Sequence, residues 1–197
     1  MTESKHHLRV AILDTETTGL YPSRDRIIEI AIILVEAEHA TGRILRELSR
    51  YEALQDPGFP MPAGAYAVHG ISSAMVKGHR IDPEAVRNLL SQAHLLVAHN
   101  SGFDKGFVTQ VLPEAGSLTW GCSCRGIPWR RHFPVDSARL QVLADHLQLK
   151  RGTAHRAMGD VETTLALLNT DLPGQSQTAL GHLIQKKCPL PSSPERA

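Results

Sequence analysis

Asp14 and Glu16, in the run Asp14-Thr15-Glu16-Thr17-Thr18-Gly19, are the residues whose types and spacing point most directly to chemistry. Leu8 to Leu13 precede them, a short apolar run with β-branched members that reads as a buried strand. Gly19 and Tyr21-Pro22-Ser23 follow, which is turn chemistry. Side chains alternate along a strand, so Asp14 and Glu16 share a face and their charges repel. A hard divalent cation with oxygen ligands relieves such repulsion. Two other readings compete. The stretch loosely matches the start of a calcium-binding EF-hand loop, but such a loop follows a helix and carries a bidentate Glu at its twelfth position. Here a strand precedes it and Asp25 stands in that place. The other reading is a pair of solvated acids, which are common where loops begin.

Two further acids can complete a metal centre. Asp104 falls in the first turn of a helix that leaves the strand His94–Ala98, where an acid also favours the helix N-terminus on its own account. Asp160 falls one turn into the last long helix, among apolar and small neighbours. Five residues before it, in Gly152-Thr153-Ala154-His155, stands His155. Arg151 and Arg156 flank that histidine and disfavour its protonated form, which suits a base; an exposed histidine at a helix start is the plainer alternative.

The elements that position these groups follow in order. Ile27 to Val35 reads as a second strand buried on both faces, and Arg43 to Tyr51 as a third after the Thr41-Gly42 turn, giving an antiparallel meander. The loop Asp56 to Pro62 carries three prolines, which keep it out of helix and sheet. Short helical pieces run from Ala63 to Val68 and from Ser72 toward Gly78, and Asp82-Pro83-Glu84 starts another helix. A fourth strand, a helix near Phe103-Asp104, a fifth strand over Leu118–Cys122 and helices over Arg139–Leu147 and Arg156–Asn169 complete a mixed α/β sheet with helices packed on it. Cys122 and Cys124 are spaced to share a face, a weak metal signal beside the ordinary reading of two buried thiols.

The chain has 197 residues, a 42% hydrophobic fraction and a formal net charge of +1. That implies one domain, residues 1–170, and a tail, residues 171–197, with one short helix and then a proline-rich disordered end. The near-neutral balance gives no global field for nucleic acid, so such binding must come from local patches. Arg125, Arg130, Arg131 and His132 beside Trp129, and Lys150, Arg151 and Arg156 around His155, are the candidates. No export signal or membrane-length apolar run is legible, and three cysteines make no disulfide framework, so a cytoplasmic setting without membrane association is expected.

Together, Asp14-x-Glu16, Asp104 and His155-x-x-x-x-Asp160 resemble the DnaQ-like 3′–5′ exonucleases of the DEDDh type. Thr17-Thr18-Gly19, Val68-His69-Gly70-Ile71 and Ala98-His99-Asn100 with Phe103-Asp104 support the resemblance, which covers Leu8 to about Asn169. The sister type has a tyrosine where Arg156 stands. The resemblance implies an RNase H-like fold, a five-stranded mixed sheet with strand 2 antiparallel, flanked by helices. It implies hydrolysis of phosphodiester bonds from a 3′ end, releasing nucleoside 5′-monophosphates, in proofreading or repair. Two divalent ions, Mg²⁺ or Mn²⁺, are implied, held by Asp14, Glu16, Asp104 and Asp160 with Asp14 bridging, and with His155 as general base. Thr17, Thr18, Gly19, Leu20, His69, Asn100 and Phe103 are implied to line the pocket for the terminal nucleotide; Phe103 suits a core role equally well. The expected partner is a single-stranded 3′ end of DNA. An exoribonuclease, or a binding subunit of a DNA polymerase, are the alternatives. The segment Gln177-Thr178-Ala179-Leu180 has a faint likeness to sliding-clamp peptides but lacks the aromatic anchor that should follow.

Overall fold

The computed structural model describes residues 6–150 and 152–189. Strands β1 (His7–Thr17), β2 (Ile27–Glu38) and β3 (Ile44–Leu54) come first, followed by helices α1 (Ala63–His69), α2 (Ser73–Val76) and α3 (Pro83–Leu90). Then come β4 (Leu95–Ala98), α4 (Ser101–Val111), a 3-10 turn (Pro113–Ser117), β5 (Trp120–Cys122), α5 (Ser123–Gly126) and α6 (Trp129–His132). The chain closes on α7 (Leu140–His146), α8 (Ala157–Leu168) and α9 (Ala179–Lys187).

The sheet order is β3-β2-β1-β4-β5. β1, β2 and β3 form the expected antiparallel meander, while β4 and β5 join parallel to β1. This is the five-stranded mixed sheet expected from the sequence, with its second strand antiparallel. Helix starts follow their chemistry: the Asp82 carboxylate accepts the Glu84 amide ahead of Pro83, and the Ser72 hydroxyl accepts that of Met75.

Apolar alternation sends side chains to two layers. Val10, Ile12, Ala31, Ile33, Leu95 and Val97 pack with residues of α7, α8 and α9. Ala11, Leu13, Ile30, Ile32, Leu34 and Leu96 pack with residues of α3 and α4. The first of these parities continues from Val10 and Ile12 into Asp14 and Glu16, so both acids face the α8 side. Thr15 takes the opposite face.

The expected division at residue 170 does not separate packing units among the described residues. Leu172, Ala179, Leu180, Leu183 and Ile184 are buried in the same cluster as the sheet. Gly42, at a left-handed φ of 72°, lies so close to α9 that a Cβ there would meet the Gly181 amide nitrogen at 1.9 Å. The clamp-like segment is part of this packing: Thr178, Ala179 and Leu180 are each fully buried, with Thr178 capping α9. It is therefore not a free peptide. The proline-rich end expected to be disordered, from Leu190 onward, lies outside the described residues.

Candidate active site

β1 is longer than its parallel partner. β4 pairs with Val10, Ala11 and Ile12, and no β4 residue pairs with β1 beyond them. The far end of β1, which carries Asp14 and Glu16, is therefore open on that side, and α4 enters there with its first turn. Asp104 is 3% exposed and accepts a 3.0 Å hydrogen bond from the Thr15 hydroxyl. Burial lifts its carboxyl to about 7, against the opposing pull of that hydroxyl and of backbone N–H groups.

From the other side comes α8. Glu16, His155 and Asp160 each offer a donor atom, and these atoms lie within 4.8 Å of one another; no other such group of three occurs among the described residues. Burial, and then the charges of Asp160, Glu29 and Asp104, push the Glu16 carboxyl up to about 8. Asp14 is raised well above the usual carboxylate range by burial first and then by Asp104, Asp160, Glu16 and Glu29. Asp160 is raised by burial, with the His155 amide and the Gln141 side chain opposing. Burial thus favours the protonated form of all four carboxyls, and the neighbouring acids add to it at Asp14 and Glu16.

The loop that carries His155 is seated by close backbone contact. A Cβ on Gly152 would meet the Gly159 Cα at 2.3 Å, and one on Gly159 would meet the Thr153 carbonyl oxygen at 2.1 Å. The Thr163 hydroxyl accepts the Gly152 amide and donates to the Gly159 carbonyl. His155 has a left-handed φ of 57°, a region in which histidine is among the better tolerated side chains. Its amide donates to Asp160 Oδ2 at 3.3 Å and its ring is exposed. On α7, Gln141 Nε2 donates to Asp160 Oδ1 at 3.2 Å.

A model of the Exonuclease family, RNase T type, matches residues 11–168. This chain belongs to that exonuclease family. The DnaQ-like resemblance read from the motifs is borne out. Among curated relatives, the 3′–5′ exonuclease DinG of Bacillus subtilis is 35% identical over 163 residues, covering 79% of this chain and 17% of the relative. The PolC-type DNA polymerase III of Listeria innocua is 37% identical over 167 residues, covering 79% of this chain and 11% of the relative. The chain thus spans less than a fifth of these proteins. Among solved structures, exonuclease X in complex with 5′ overhanging duplex DNA is 27% identical with a TM-score of 0.59, covering 90% of this chain and 91% of that one. Exonuclease I shares the fold at 16% identity and a TM-score of 0.64, covering 92% of this chain and 42% of that one.

The residues expected to line a pocket differ in burial and in partners. Thr17 and Thr18 are buried; Thr17 donates to the Gly19 carbonyl, and Thr18 ties the turn to Arg26 through both backbone and hydroxyl. A Cβ on Gly19 would meet the Asp25 carboxylate at 2.6 Å, so a larger residue there would push that side chain aside. Leu20 stands out into solvent, 72% exposed. Asn100 is exposed at the start of α4, and Phe103 stacks on the buried Phe107 with ring centroids 4.9 Å apart. His69 is buried; its Nδ1 accepts the Ile71 amide, which puts the proton on Nε2, a nitrogen closed off from solvent beside the Thr17 backbone. His99 does different work: its ring bridges the Ser123 hydroxyl and the Ala138 carbonyl, tying β4 to the approach to α7.

Several expectations are corrected. Arg156 is not a loose basic residue beside His155, because its guanidinium is bound to Glu29. Trp129 is 1% exposed with Nε1 on the Ser123 carbonyl, so the cluster around it offers no aromatic face. Cys122 ends β5 while Cys124 lies in α5, so the two do not share a strand face; Cys122 Sγ instead receives the Arg125 amide. Glu29, Thr15, Gln141 and the Gly152–Gly159 contact also hold these groups in place and are not among the expected residues. Only Glu29 carried a signal, as a lone acid within an apolar strand.

Proposed function

We propose that this domain is a divalent-metal-dependent 3′–5′ exonuclease acting on single-stranded or frayed DNA ends. The observation that carries the reading is the convergence of Asp14, Glu16, Asp104 and Asp160 with His155 at the open end of β1. A donor set of four carboxylates, all raised by burial and two of them also by neighbouring acids, fits a hard cation, Mg²⁺ or Mn²⁺. Asp14, Glu16, Asp104 and Asp160 would hold the ions. When bound, the ions supply charge stabilisation at the phosphoryl oxygens and acidify the attacking water. His155, exposed and held beside Asp160, takes the proton from that water at a ring nitrogen. His69, Leu20 and Phe103 would line the pocket for the terminal nucleotide. Single-strand preference follows from the site's place at a strand end, which one flexible terminus can enter.

DNA as substrate is supported by the complex named for exonuclease X and by the polymerase III relatives. Those relatives also support a place beside a polymerase, in proofreading or repair. The free cysteines fit a cytoplasmic setting, and among the described residues no helix is long and apolar enough to cross a membrane. The test is degradation of 5′-labelled single-stranded and duplex DNA and RNA with Mg²⁺ or Mn²⁺. A descending ladder on single-stranded DNA is expected. Immediate release of labelled mononucleotide would refute the polarity, preference for RNA would refute the substrate, and intact substrate would refute the activity.

A further inference from the structure

Glu29 lies at the heart of the molecule with no exposed surface, directly opposite Glu16 in the β1–β2 register. A buried carboxylate among apolar residues needs partners for its oxygens, and all of them come from one place. Arg156 Nη2 and Nε donate to Glu29 Oε1 at 2.6 and 3.1 Å, and Nε also approaches Oε2 at 3.3 Å. The Ala157 amide donates to Oε2 at 2.9 Å. Ala157 opens α8, and that helix has no side-chain cap from its own N-cap residue, Arg156. Glu29 therefore supplies the cap from β2. The contact falls between His155 and Asp160, so one carboxylate ties β2 to the segment that carries both.

We infer that Glu29 and Arg156 are a pair of positioning residues that lock the His155–Asp160 segment against Asp14 and Glu16 and so set the metal-binding geometry. Neither is assigned to a metal: the Glu29 oxygens are occupied, and the Arg156 guanidinium keeps that buried charge neutralised beside four others. The inference rests on the proposed metal centre. It has a consequence of sign that separates position from charge. Arg156 is a cation beside the metal carboxylates, and by charge alone its removal should tighten the binding of a divalent ion. If its work is positional, removal should weaken that binding.

The experiment is a calorimetric titration of Mn²⁺, without substrate, into the wild type, Arg156→Gln and Glu29→Gln. Glutamine at position 29 keeps the volume and an acceptor oxygen but removes an anion, so weaker binding there agrees with either account and the sign test rests on Arg156→Gln. Arg156→Lys, which keeps the charge without the two-point contact, remains informative if Arg156→Gln folds poorly, and unchanged Mn²⁺ binding by it would overturn the inference. Both glutamine variants are expected to bind Mn²⁺ about 10–100-fold more weakly, the usual effect of losing a residue that orients metal ligands. At saturating Mn²⁺ their kcat should fall while KM for DNA stays within about threefold of the wild type. Millimolar guanidinium should restore part of the Arg156→Gln loss, because the arginine side chain is partly open to solvent. Unchanged or tighter Mn²⁺ binding by Arg156→Gln, or a change confined to KM, would overturn the inference. Wild type that binds Mn²⁺ but degrades no 3′ end would refute the proposed activity and leave the pair standing; wild type that binds no Mn²⁺ would overturn both.

Discussion

Replacing Glu16 by glutamine is expected to stabilise the metal-free protein at neutral and alkaline pH. In the folded chain the Glu16 carboxyl is raised from the ordinary 4.5 to about 8, by burial first and then by the charges of Asp160, Glu29 and Asp104. Between those values the folded state holds a proton that the unfolded state has released. Stability therefore declines as pH rises: the favourable contribution is complete below the unfolded value and lost once pH passes the folded one. At ~1.4 kcal/mol per pH unit the full penalty is about 5 kcal/mol. Glu16 keeps some solvent contact, and screening brings the expected cost to about 2–3 kcal/mol. Glutamine carries no charge and avoids it. For a chain of this size that is a rise of about 4–12 °C in Tm at pH 8 in EDTA. Thermal melts from about pH 5 to 9 in chelator provide the assay, with the wild type falling across the range and the variant flatter. Mn²⁺ should then reverse the ranking, since an ion at about 100 times its Kd adds ~2.7 kcal/mol to a competent site. A wild-type Tm that stays level or rises with pH in chelator, or a variant that melts lower at pH 8, would refute the repulsion on which the metal assignment depends.

Three further outcomes are expected. His155→Ala should lower kcat by about 10²–10⁴-fold with little change in Mn²⁺ affinity; near-normal turnover would remove it as the base, and lost Mn²⁺ affinity would make it a ligand instead. Gln141→Ala should weaken Mn²⁺ binding by roughly tenfold or more by freeing the Asp160 carboxylate, which titration against the wild type will read directly. Truncation after residue 170 should prevent folding: it removes Leu172, Leu180, Leu183 and Ile184, all buried, at ~1.5–3 kcal/mol each. That sum is comparable to the whole stability of an ordinary domain, so a cooperative melt from the truncated chain would show α9 to be dispensable.

Much of this was legible because strand periodicity and acid spacing are local properties. Asp14 and Glu16 share a face by alternation alone, and the helix starts at Ser72 and Asp82 follow from cap chemistry. The misreadings arise where a residue's role depends on something distant in sequence. Arg156 looks like a surface cation beside His155 until β2 delivers Glu29 to it across 127 residues of sequence. The segment after residue 170 looks like a tail because its apolar positions are few, yet Thr41 and Gly42 offer a backbone surface on which α9 seats. Trp129 beside three basic residues reads equally well as a binding face or as core, and only the Ser123 carbonyl decides it.

The same sheet explains why the acids can be tolerated. β2 is buried along almost its whole length and pairs with β1 from His7 to Thr17, so the strand that bears Asp14 and Glu16 is held firmly on one side. On the other side the pairing with β4 ends at Ile12. The acids sit where the scaffold is rigid but the neighbouring ladder has stopped, which leaves room for a phosphate to approach beside an anchored strand. Charges gathered this way lower the stability of the metal-free chain, and the sheet and α9 offset that cost through apolar burial remote from the site. A core weakened at α9 should therefore cost both forms a similar free energy, yet unfold the metal-free protein first, because bound ions add their binding free energy to the folded state.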